Sequence, residues 1–312
     1  MSVSGGPVAA IDCGTNSVRL LIADVDDLGT LHERTRVMRI VRLGEGVDRT
    51  GEFSEQALAR TFAALDEYAI AIASAGVVTT RFVATSASRD VSNREAFAAG
   101  VSARLGVAPE VISGDEEAEL SFVGAIGGLP AGLVTSPSLI VDIGGGSTEF
   151  VLGSSTPLYS VSIDIGCVRM TERHLAGDPP TMSEVAAAEA EIAAAVASAA
   201  DIVPISEATC LVGLAGSVTT VAAMALVLDH YDADRLHGST ILASNVDRVT
   251  EKLLAMTRAE RGALPFMHPG RVDVIAAGAM ILRAAMAVGN FESVIVSETD
   301  ILDGIVYSLL PR

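Results

Sequence analysis

The chain has 312 residues, half of them apolar, and carries 21 basic against 39 acidic side chains for a formal net charge of −18. That is two domains' worth of chain at about 150 residues each, and a charge so negative excludes general binding to nucleic acid or to an anionic membrane face. No apolar run reaches the roughly 18 residues of a membrane span, the N-terminus lacks an export signal's basic and apolar regions, and Cys13, Cys167 and Cys210 are too scattered for a disulfide framework or zinc site, so the expected compartment is the cytoplasm.

Residues 8–25, VAAIDCGTNSVRLLIADV, read as a strand, a tight turn and a second strand. RTRVMRIVRLG at 34–44 reads as a third strand. Ser54 then caps a helix to residue 75 with Leu58, Phe62, Leu65 and Ile72 at helical spacing. VVTTRFVATSA is a buried strand, 93–105 a helix and APEVISG a short strand. DEEAELSFVGAIGG is a helix with acids in its first turn, where the helix dipole favours them. GGLPAGLVTSPS at 127–138 is rich in Gly, Pro and Ser and reads as a boundary.

The second half repeats the plan. Strands run through 139–166, an Ala-rich helix lies near 183–200, and CLVGLAG is a strand leading into another helix. ESVIVSE is the last strand, and a closing helix over 300–312 is expected to pack back on the first domain. Strands mixed with helices in two similar halves predict an α/β protein with domains at 1–130 and 131–299 and a cleft between them.

The halves also match in detail. LIVDIGGGSTEFVLG has the outline of 8–25, and at an offset of 130 Asp12 meets Asp142, Gly14 meets Gly144 and Ser17 meets Ser147. Two such turns could face each other across the cleft. Bare glycines at 144–146 would let backbone N–H groups approach a phosphate, although a simple tight hairpin has the same residues. Ser17 and Ser147 would add hydroxyls and Asn16 an amide. Asp142 and Glu149 flank one turn and suit a divalent cation; Asp12 is also explained by capping its own turn.

Three other stretches carry chemistry. In ISGDEEAELSF the buried stripe is Ala118, Phe122 and Ala125, which turns Glu117 sideways toward a cleft as a possible general base; a solvated helix start is the plainer alternative for the four acids. Arg89, in the strand-end loop TSASRDVSN, could fork onto a phosphate or form a surface salt bridge with Asp90 or a nearby acid. Gly216 and Ser217 in GLAGSVTTVAAMAL open a helix whose N-terminus could hold an anion, or simply a core helix. HYDADRLH matches no common metal spacing, and there is no Walker-type loop. Residues 1–110 hold 11 basic and 14 acidic side chains and the rest 10 and 25, so an anion site is expected toward the first half.

AIDCGTNSVRLLIADV, TSASRDVSN, ISGDEEAEL, VDIGGGSTEFVLG, GLAGSVTTVA and RVDVIAAGAMIL resemble, in order and spacing, the exopolyphosphatase and guanosine pentaphosphate phosphohydrolase family over about residues 8–310. The resemblance implies two ribonuclease-H-like domains of the actin-like ATPase type, with the active site in the cleft. It implies removal of terminal phosphate from inorganic polyphosphate or guanosine pentaphosphate with Mg²⁺ or Mn²⁺. By position, Glu117 is the catalytic base and Asp142 and Glu149 the metal carboxylates. Gly144, Gly145, Gly146 and Ser147 form the phosphate turn, Asp12, Gly14, Thr15, Asn16 and Ser17 its counterpart, and Arg89 grips a phosphate.

The chain resembles the short two-domain members, which implies short polyphosphate; a homodimer and inhibition by guanosine tetraphosphate are further expectations. SETDILDG stands where many members have an arginine-containing stretch, so a basic contact is expected to be missing or replaced. An actin-like small-molecule kinase and a non-catalytic alarmone sensor are the rival functions. No aromatic cluster in the sequence announces a guanine pocket.

Overall fold

The computed structural model describes residues 6–26, 30–89 and 91–310. In chain order the first lobe is built from β1 (Val8–Cys13), β2 (Ser17–Val25), β3 (Leu31–Ile40), α1 (Glu55–Ala75), β4 (Thr79–Ala84), α2 (Arg94–Leu105) and β5 (Glu110–Val111), followed by α3 (Gly114–Gly128); short helical turns are left unnumbered. The second lobe comprises β6 (Ser138–Ile143), β7 (Thr148–Gly153), β8 (Pro157–Ile163), α4 (Cys167–His174), α5 (Met182–Ile202), β9 (Cys210–Leu214), α6 (Ala215–Ala225), β10 (Thr240–Leu242), α7 (Ala243–Ala255), α8 (Ile275–Val288) and β11 (Ser293–Val296), and is followed by α9 (Ile301–Ser308). Among the described residues no helix is long and apolar enough to cross a membrane.

The sheets share one plan. The first has the order β3-β2-β1-β4-β5, with β1–β3 antiparallel and β4 and β5 parallel to β1. The second runs β8-β7-β6-β9-β11 in the same sense, with β10 added at its edge. This is the ribonuclease-H-like arrangement in both halves, and the offset of 130 carries β1 onto β6 residue for residue. The central strands are covered on both faces, so they read as continuous apolar runs rather than alternating ones. The third strand differs from its sequence outline. It starts at Leu31 and stops at Ile40, because Arg42 takes a left-handed φ of 50° and turns the chain away.

Local signals explain the helices. Ser54 Oγ accepts the Ala57 N–H at 3.1 Å, as expected of its cap. Phe97 on α2 meets Phe53 and Phe82 edge to face, with centroids 5.5 and 6.2 Å apart, in the core of the first lobe. In the second lobe α5, α6, α7 and α8 supply Ala, Val and Ile side chains to one large core.

Two helices lie between the sheets. Ala118, Phe122 and Ala125 of α3 pack on Ile140, Val151 and Val212 of the second sheet, whereas Ile301, Leu302 and Ile305 of α9 pack on Ala10, Leu21 and Val83 of the first. Each lobe's sheet is therefore covered by a helix next to the other lobe's. They cross at glycines. A Cβ on Gly124 would stand 1.8 Å from the Asp300 carbonyl oxygen, and one on Gly304 would stand 2.0 Å from that of Leu120. Glycine inside a helix ordinarily costs about 1 kcal/mol relative to alanine; here it is what lets two backbones touch.

Gly124→Ala should consequently lower stability by more than about 3 kcal/mol, beyond the usual cost of an overpacked core. Gly262→Ala, whose Cβ would meet only Val272 methyl groups at 3.8 Å, should change it little. Urea unfolding of both variants checks this, and equal midpoints would contradict it.

Candidate active site

Each lobe presents a hairpin turn to the cleft. The Gly14 N–H donates to the Ser17 carbonyl at 2.9 Å and the Gly144 N–H to that of Ser147 at 3.0 Å, so the two turns have the same closure. They also touch. A Cβ on Gly145 would lie 2.9 Å from Thr15 Cβ, and one on Gly146 would lie 2.7 Å from Thr15 Oγ1 and 2.9 Å from Ser86 Oγ. Glycine is required there for the close approach of the lobes, and Thr15 and Ser86 share a hydroxyl hydrogen bond at 3.0 Å beside it.

A cavity of about 110 Å³ opens at this junction. Of the residues the sequence singled out, it is lined by Asp12, Gly14, Thr15, Asn16, Ser17, Glu117, Asp142, Gly144, Gly145, Ser147, Gly216 and Ser217. Three lie outside it. Gly146 faces the lobe contact. Glu149 is fully buried behind the turn and accepts from Ser162 Oγ at 2.7 Å. Arg89 does not line the cavity itself; its guanidinium pairs with Glu117, which does, and donates from Nε to the Ile112 carbonyl at 3.0 Å. Of its sequence alternatives, a nearby acid is met in Glu117, and Asp90 lies outside the described residues.

Of the four acids at the start of α3, Glu117 alone is buried. Ser113 caps the helix by accepting the Glu116 N–H at 3.2 Å, Glu116 pairs with Arg81, and Glu119 is exposed. Burial pushes the Glu117 carboxyl well above its usual range, and Glu149 adds to this while Arg89 opposes it. Asp142 and Glu149 stand directly opposite each other in the β6–β7 register. Burial first and Glu149 second push Asp142 up to about 7, while Ser121 Oγ, donating at 2.7 Å, pulls it down. Burial likewise raises Glu149.

The matching pair in the first lobe is different. Asp12 faces Arg19, which donates to its Oδ2 from both Nε and Nη2 at 2.9 and 2.6 Å and also pairs with Asp300, the cap of α9. The other oxygen of Asp12, Oδ1, is buried with no hydrogen-bond partner.

Sequence reasoning missed Arg19, Ser121 and Arg271. Arg19 was findable, because the same offset of 130 places it on Glu149. Arg271 opens the RVDVIAAGAMIL stretch and lines the cavity; among the described residues its guanidinium has no carboxylate partner and donates to Thr220 Oγ1 at 3.1 Å. It lies over Gly216, where a Cβ would come within 2.3 Å of the guanidinium carbon. Ala215 beside it holds a left-handed φ of 65°, a local strain that recurs at binding sites. The SETDILDG segment supplies no cation; it supplies Asp300, which holds Arg19.

The chain is 48% identical to exopolyphosphatase 2 of Mycobacterium tuberculosis, with 97% of this chain and 98% of that protein covered. Residues 21–312 match the Ppx/GppA phosphatase family. The chain belongs to that family. An exopolyphosphatase-like protein of known structure superposes with a TM-score of 0.93 at 42% identity over 97% of both chains. The Ppx-GppA enzyme of Aquifex aeolicus gives 0.80 at 30% identity, over 97% of this chain and 99% of that one. The two-lobed architecture is thus that of other Ppx/GppA proteins, and the touching glycine turns lie at its centre.

A carboxyl whose pKa is higher folded than unfolded makes the folded chain hold a proton that the unfolded chain releases. Asp142 therefore favours folding at low pH, and that contribution is lost as pH rises from 3.8 to about 7. In buffer free of divalent cations the melting temperature should fall over this window, and Asp142→Asn should flatten the fall. Thermal denaturation across the window tests it, and an unchanged slope in the variant would contradict the assignment.

Proposed function

We propose that this protein is an exopolyphosphatase that hydrolyses the terminal phosphoanhydride of inorganic polyphosphate, short chains foremost, and releases orthophosphate. The observation that carries the reading is Glu117, a buried carboxylate at a helix start that lines the same small cavity as both glycine turns. Membership of the Ppx/GppA phosphatase family and the named exopolyphosphatase relative support it.

In this reading the turns and Arg271 hold the phosphate chain end by backbone N–H groups, hydroxyls and a guanidinium. Glu117 orients a water and takes its proton as the oxygen attacks the terminal phosphorus. The bridging P–O bond breaks, and the shortened chain leaves with the bridging oxygen. Arg89 favours the ionised form of Glu117, which burial and its acidic neighbours disfavour. Positioning and electrostatics supply most of the rate.

The acidic residues fit a divalent cation of the Mg²⁺ or Mn²⁺ type. Among the described residues no three potential metal-binding side chains converge; Mg²⁺ usually takes one or two carboxylates and completes its shell with water and substrate phosphate. Asp142 would hold it, Glu149 would add charge from behind, and the unpartnered Asp12 Oδ1 faces the same need. When bound, such a cation neutralises phosphate charge that the acids would otherwise repel.

A second reading, guanosine pentaphosphate as substrate, has its own observation. A cavity of about 460 Å³ adjoins the first and shares Arg19, Met38, Ala215, Gly216 and Arg271 with it. Tyr231, Phe266 and Met267 line it. Tyr231 and Phe266 are far apart in sequence and come to one cavity only in the fold, and an apolar lining with aromatic side chains suits a flat base. Guanosine tetraphosphate is then the expected inhibitor.

Phosphate release from short polyphosphate, long polyphosphate, guanosine pentaphosphate and ATP, measured side by side with Mg²⁺, ranks these readings. Short polyphosphate should be cleaved best without any acceptor. Glu117→Gln should cut turnover on every cleaved substrate by about 10² to 10⁴ with little loss of thermal stability. Near-normal turnover would remove Glu117 from its role, and ADP formation from ATP that depends on an acceptor would favour a kinase.

A further inference from the structure

Hydroxyl residues inside helices usually donate to the carbonyl four residues back, and this chain does so repeatedly. Thr61 donates to the Ala57 carbonyl, Thr171 to Cys167, Thr220 to Gly216 and Thr250 to Val246, all at 2.6 to 2.8 Å. Ser121 in α3 departs from this. It is fully buried, and its Oγ donates across the gap between helix and sheet to Asp142 Oδ2 at 2.7 Å. Ser121 also stands four residues after Glu117, which puts both on one face of α3.

We infer that Ser121 is a positioning residue of the cation site, its hydroxyl fixing the Asp142 carboxylate so that one helix sets both the base and the carboxylate that holds the cation. The inference rests on the reading of Asp142 proposed above. Hydroxyl donation engages one carboxylate oxygen and leaves the other for the cavity that Asp142 lines. Without it, Oδ2 would be a buried carboxylate oxygen lacking its donor, beside Glu149, and the group would be freer to turn or to share a proton with that neighbour. The position of α3 is itself fixed by the crossing at Gly124 and Gly304. Base and cation carboxylate are therefore registered by a single rigid element.

Hydrogen-bond partners of metal ligands typically contribute 10- to 100-fold in metal affinity. The test is Mn²⁺ binding to the whole protein without substrate, followed by the electron paramagnetic resonance signal of free Mn²⁺. Ser121→Ala should weaken binding about 10- to 100-fold, Asp142→Asn should nearly abolish it, and Ser121→Thr, which keeps the donor, should restore most of the affinity. Wild-type affinity in Ser121→Ala alongside weak binding in Asp142→Asn would overturn the inference and leave the cation reading standing. Equal weakness in the Ala and Thr variants would also overturn it, because packing rather than the hydroxyl would then matter. Unchanged binding in Asp142→Asn, or none in the wild type, would defeat the cation reading and the inference with it.

Discussion

Asp142 and Glu149 face each other across two strands, and most of the site is arranged around the repulsion between them. Like charges in directly opposed strand positions are destabilising, and burial makes each dearer to ionise. The first lobe has the same hairpin with the opposite solution. There Arg19 occupies the position equivalent to Glu149 and balances the charge of Asp12 through two hydrogen bonds to its Oδ2. The duplication is thus structurally faithful and electrostatically broken. The unbalanced charge of the second hairpin makes sense if it holds a cation that the phosphate chain then meets.

The rest of the fold places other groups around this deficit. Glu117 reaches the cavity because α3 is pressed onto the second sheet by Ala118, Phe122 and Ala125. Asp300 caps α9 and holds Arg19, so the helix that covers the first sheet also steadies that lobe's neutral hairpin. On the far side of the turns, Asp48 of the first lobe binds both Arg169 and Arg173 of α4. Arg42 adds a further ion pair between the lobes, to Asp273. Closure of the cleft is held by charge on one side and by the glycine crossing of helices on the other.

Much of this was legible in the chain. Alternating strand and helix patterns, with the repeat at an offset of 130, carried the α/β plan and the paired turns, because both depend on local periodicity and short glycine motifs. Glu117 could be singled out among four acids because helical spacing orients it relative to Ala118 and Phe122. What escaped depends on contacts between distant segments. The pairing of Arg89 with Glu117 is a contact that strand-end position cannot reveal. The base-sized cavity is assembled from Met38, Tyr231 and Phe266, which no linear window contains. Ser121 looked like any helix serine until the sheet placed Asp142 beneath it.

The central claim is that the carboxylate pair is completed by a divalent cation that polyphosphate binding requires. Its most direct test is calorimetric titration of short-chain polyphosphate into the Glu117→Gln protein, in which cleavage should be slow, with Mg²⁺ present and with Mg²⁺ removed by a chelator. The account predicts clear binding with Mg²⁺ and weak or undetectable binding without it. Equal affinity in the two conditions would mean that the protein's own groups suffice to accept the anion, and would contradict the account.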